Sequence, residues 1–132
     1  MGITYEQAED IRKMAEKVVS VLGWKHIDLA NVGFLRSHGS SSRGTVARCH
    51  ALGKAMQLAM GRKGFYLVEV ISKRFDKLSE EDKMKIVIHE LMHIPSTFGG
   101  GFKHHHIVND RSVDKCYSEY LRRQGIGERK WF

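Results

Sequence analysis

Apolar positions recur along this chain in two rhythms, one near the helical period and one of short continuous runs. Ala8, Ile11, Ala15, Val18, Val19 and Leu22 follow the helical spacing. Thr4-x-x-Gln7 reads as a capping box that opens this helix, and Gly23 as its stop. A mixed stretch from Ile27 to Arg36 holds a short strand around Val32-Gly33-Phe34-Leu35, and the Ser- and Gly-rich segment from His38 to Gly44 is a loop. Thr45 to Cys49 suggests a second strand. Ala51 to Met60 has the composition of a short helix ending near Gly61. Phe65 to Ile71, β-branched and aromatic without proline, is the strongest strand signal in the chain.

Leu78-Ser79-Glu80-Glu81-Asp82 opens a further helix. Ser79 is suited to the N-cap, and three acids occupy the turn where the helix dipole favours negative charge. This helix runs through His93 and must stop near Ile94, because Pro95, the single proline, pushes its predecessor out of helical geometry. Ser96 to Lys103, with three consecutive glycines, reads as a flexible loop. A last helix is expected from Asp110 to Gln124, with Val113, Cys116, Tyr117, Tyr120 and Leu121 on one face, and Gly125 to Phe132 shows no clear pattern. The sum is an α+β domain spanning 1–132, with a sheet of three or four strands carrying the N-terminal, central and C-terminal helices.

Composition narrows the class. The apolar fraction is 42% and the charged fraction 28%, which is globular rather than disordered usage. No apolar run approaches a membrane span, and Met1 to Glu6 lacks the order of a signal peptide, so a cytoplasmic location is the expectation. Cys49 and Cys116 lack metal-binding spacing and read as reduced, largely buried thiols. The net charge of +7 would draw anionic partners, yet the Lys and Arg are scattered. Nucleic acid stays open as a partner, without a motif to support it.

The chemistry lies in His89-Glu90-Leu91-Met92-His93, which is H-E-x-x-H on a predicted helix. Residues four apart share a helix face about one turn from each other. Two imidazoles so placed can close on one Zn²⁺, while Glu90 stands beside them to take a proton from a water on the metal. A catalytic zinc needs a third protein ligand, and His104-His105-His106 follow the glycine loop. If that segment is extended, only one of its faces can meet the metal. Asp110 and Asp114 are the carboxylate alternatives. His26, His38 and His50 receive no role.

Phe75-Asp76-Lys77-Leu78-Ser79, then His89-Glu90-Leu91-Met92-His93-Ile94-Pro95, then Gly100-Gly101 and a histidine, resembles a metallopeptidase family of archaea and phages whose hallmark is a H-E-L-x-H-I-P helix. The likeness spans roughly residues 45 to 121. It implies a zincin-like minimal fold, a Zn²⁺ cofactor, and a third histidine ligand shortly after the paired glycines, a position that falls on His105.

The activity expected is hydrolysis of peptide bonds in a peptide or protein substrate, with Glu90 as general base. His104, His106 and Tyr117 are unranked candidates to steady the carbonyl oxygen. The strand ending near Ile71 is expected to form a sheet edge that holds extended substrate. The alternative is a metal-binding or DNA-associated basic module without catalysis.

Overall fold

A computed structural model describes residues 2–129. Its strands are β1 (Thr4–Gln7), β2 (Val32–His38), β3 (Ala47–Ala51) and β4 (Tyr66–Ile71). Its helices are α1 (Glu9–Leu22), α2 (Lys54–Met60), α3 (Ser72–Phe75), α4 (Glu80–Met92) and α5 (Asp110–Arg129). The sheet runs β1-β2-β4-β3. The outer pairs are antiparallel and the β2–β4 pair is parallel, so the expected α+β class holds with a mixed sheet of four strands.

Register explains how one face of that sheet becomes the core. Val32 and Phe34 stand opposite Tyr66 and Val68, with Cys49 on the far side of Val68. These alternate positions meet Ile11, Ala15 and Val18 of α1 and Val87, Ile88 and Leu91 of α4 in one buried cluster, which Val113 and Tyr120 of α5 close. A fully buried side chain of this kind contributes about 1.5–3 kcal/mol.

Two expectations fail at the sheet. Thr4 to Gln7 is not the start of a helix but the edge strand β1, paired from Thr4 opposite His38 to Gln7 opposite Leu35. Pairing satisfies the backbone groups that a capping box would otherwise serve, and α1 starts at Glu9 without a side-chain cap. Its apolar stripe and its left-handed Gly23 stop are as expected. The strand ending at Ile71 is not an edge either; β4 lies between β2 and β3, and the edges are β1 and β3. Its near-continuous apolar run is what a strand with covered neighbours requires, and only Leu67 of its six residues is not buried.

The remaining elements differ mainly in their limits. β2 continues to His38, β3 is shifted to Ala47–Ala51, and the short helix occupies only Lys54–Met60 before a left-handed Gly61. α5 passes Gln124 and runs to Arg129, while 130–132 of the unpatterned tail lie outside the described residues. No described helix is long and apolar enough to cross a membrane.

Candidate metal centre

α4 is built to end at the site. The Ser79 hydroxyl accepts from the Asp82 amide at 3.1 Å, and Glu80, Glu81 and Asp82 fill the first turn. Thirteen residues later Met92 closes the helix and His93 is its C-cap, two residues before Pro95. The helical spacing thus sets the His89 and His93 rings together, with centroids 5.0 Å apart.

A third imidazole meets them from the segment beyond the glycines. The His105 ring lies 5.4 Å from that of His89 and 4.8 Å from that of His93. One ligating atom from each of the three lies within 4.8 Å of the other two. Residues 104–108 are not extended, because the His104 carbonyl accepts from the amides of Ile107 and Val108 and bends the chain into a turn. His104 and His106 fall outside the cluster. Asp114 instead pairs with Lys85 at 3.2 Å, and Asp110 lies outside the cluster, its charge opposing the lowering of His89.

The glycine loop, expected to be flexible, is tied down. The Tyr66 hydroxyl donates to the Gly101 carbonyl at 2.8 Å and accepts from the Gly100 amide at 2.9 Å. The Gln57 amide donates to the Leu52 and Gly99 carbonyls at 2.8 and 3.0 Å. Glycine is needed at 100, where φ is +102° and a Cβ would lie 2.8 Å from the Leu52 oxygen.

His93 receives two supports that its own spacing did not reveal. Its ring stacks on Phe102 at 4.4 Å with 14° between planes, and its Nδ1 is hydrogen-bonded to the Lys103 carbonyl. A carbonyl can only accept, so Nδ1 carries the proton and Nε2 keeps a free lone pair. The Lys103 contact is made by main chain, and no side-chain pattern announces it. Phe102 beside the histidines was the one readable hint.

The electrostatics favour neutral imidazoles. Burial, joined by the charges of His93 and His105, lowers His89 to about 4. Burial also lowers His93, against the opposing pull of the Lys103 carbonyl. Neutral rings are the form that binds a metal. Glu90 is 5% exposed, with its carboxylate 3.9 Å from Nε2 of His89, and burial raises it to about 8. Across from it the Cys49 thiol is pushed up to about 12, by burial first and then by the Glu90 charge.

Both cysteines are free thiols and half-buried. The histidines given no role lie elsewhere: His38 contacts Glu6 at 2.7 Å, and His50 contacts the buried Glu69 at 2.8 Å. Tyr117 stacks on Tyr120, with the Lys85 ammonium 5.3 Å from its ring centroid.

Three imidazoles and an adjacent carboxylate are a donor set suited to a borderline-soft divalent ion with an open coordination position. No curated protein and no solved structure matches this chain. A family model described as "Putative phage metallopeptidase" matches residues 3–125, almost the whole length, and the chain belongs to that family.

Proposed function

We propose that this protein is a zinc-dependent peptidase with a minimal zincin-like fold in a single domain, and that His89, His93 and His105 hold the ion. The convergence of those three rings beside a buried carboxylate carries the reading. A bound zinc ion would supply an acidified water and a Lewis acid for the scissile carbonyl. Glu90 takes the proton of the attacking water and delivers it to the departing amine, a role supported by its buried carboxylate standing 3.9 Å from Nε2 of His89. The Lys103 carbonyl fixes the His93 tautomer, and Phe102 holds the plane of its ring.

The substrate is a peptide or protein segment in extended form. The free edge of β3 suits it, since α4 packs against that strand and Cys49 of β3 lies near Glu90. A non-catalytic metal-binding module, or a DNA-associated one, would leave the burial of Glu90 without a purpose.

Glu90→Gln is the decisive variant. It should keep a stoichiometric metal while losing about 10²–10⁴-fold in cleavage of a quenched-fluorescent peptide library. Undiminished cleavage in the metal-loaded variant would exclude Glu90 as the base.

A further inference from the structure

A cavity of about 210 Å³ lies at the C-terminal end of α4, with none of the three clustered histidines in its lining. Leu91, Met92, Ile94 and Val108 make its walls, and Trp24 and Ile107 flank it. Its volume exceeds that of an apolar cavity of about 150 Å³ known to admit benzene. Ile107 is 50% exposed, one of few large apolar residues left so open among the described residues.

The lining holds a single side chain that is always charged at neutral pH, Lys103, beside the less polar His26, Cys116 and Trp24. Lys103 and His26 both reach the cavity, and no lining residue is acidic. Lys103 has no carboxylate within ion-pair distance among the described residues. Its charge is felt across the cavity. Burial first, and then Lys103, lower His26, and Lys103 also pulls against the burial that raises Cys116. The half-buried Lys103, at an apolar chamber whose lining holds no acid, lacks its complement.

We propose that this cavity binds a small amphipathic carboxylate, with an apolar body of benzene-like bulk among Leu91, Met92 and Ile94 and its head group on Lys103. Lys103 links the site to the three-histidine cluster through its main chain. The Lys103 amide donates to the His93 carbonyl at 2.8 Å, and the Lys103 carbonyl accepts from Nδ1 of His93. A ligand that draws on the Lys103 side chain therefore acts on the residue that orients His93. The inference goes beyond the peptidase reading and does not depend on it, because binding is read directly.

The test titrates the metal-loaded full chain with hexanoate, hexanol and hexylamine, following the Trp24 indole and Met92 methyl signals by NMR. Hexanoate should shift both signals saturably and bind about tenfold tighter than hexanol, with hexylamine weakest, as a charge-assisted contact requires. Lys103→Met keeps the apolar stem and should abolish the preference for hexanoate over hexanol, while Lys103→Arg should retain it. If hexanoate leaves both signals unmoved, or hexanol binds wild type equally well, the proposal is overturned. Equal hexanoate affinity in wild type and Lys103→Met overturns it too.

Discussion

Lys103 grips His93 with both of its main-chain polar groups, the amide donating to the His93 carbonyl and the carbonyl accepting from Nδ1 of the ring. The first bond satisfies an orphan carbonyl at the C-terminus of α4, where the chain can no longer continue as helix. The second selects the ring tautomer. The main chain of one residue thus meets both the end of α4 and the ring of His93, and His105 follows two positions later.

That economy separates the three consecutive histidines. His105→Ala should lower zinc affinity by more than the roughly 10–100-fold typical of losing an outer support. His104→Ala and His106→Ala should each leave it within about threefold, since neither ring belongs to the cluster. Competition with a chromophoric chelator measures all three, and equal losses across the series would exclude a unique third ligand.

Phe102→Ala tests the stacked support of His93. An aromatic pair of this geometry is worth about 0.5–1.5 kcal/mol beyond its buried area. The expected result is a metal affinity weaker by about that amount, with the same ligands retained and the His93 resonance broadened. Phe102→Leu, which restores bulk without the ring, should recover only part of the loss.

The local signals in the sequence were sound where local physics decided the outcome. Ser79 and the acids after it start α4, Pro95 bounds it, and the four-residue spacing brings His89 and His93 together. The likeness to the family, rather than spacing, singled out His105 from its neighbours. Thr4 to Gln7 was misread because a capping pattern is indifferent to whether β2 offers a partner, and pairing won. Order within the sheet was not legible, although the apolar run of β4, broken only by Glu69, bore the mark of a central strand. The loop from Ser96 to Lys103 looked free because its anchors, Tyr66 and Gln57, come from distant elements.

Tyr66 is the more telling of those anchors. Its buried ring packs in the core while its hydroxyl bonds to both Gly100 and Gly101. Tyr66→Phe should cost about 1–3 kcal/mol of stability, because the two loop groups lose their partner in a part-buried setting. It should also weaken zinc binding while leaving the far-ultraviolet circular dichroism unchanged, as the loop delivers His105. A variant as stable as wild type, with unaltered metal affinity, would show the loop to be held by other means.

The remaining prediction concerns acid. Arg36 reaches Asp10 of α1 at 2.8 Å and Asp76, just beyond α3, at 2.7 Å, joining two helical elements to β2. Hydrogen bonds from Arg36, working against burial, hold both carboxyls below their ordinary value of 3.8. A carboxyl lowered by folding contributes stability that is fully present above the unfolded value and is lost as pH falls through the folded one. Both acids are well exposed, at 61% and 41%, so solvent screening limits each pair to about 1 kcal/mol or less. Arg36→Met should therefore lower the midpoint of thermal unfolding at pH 7, and the gap from wild type should close as the pH is taken from about 4 toward 2. Salt should narrow the same gap at pH 7, since the pairs are open to solvent. A gap that stays constant across this acid range would mean that Arg36 acts through the packing of its stem rather than through its charge.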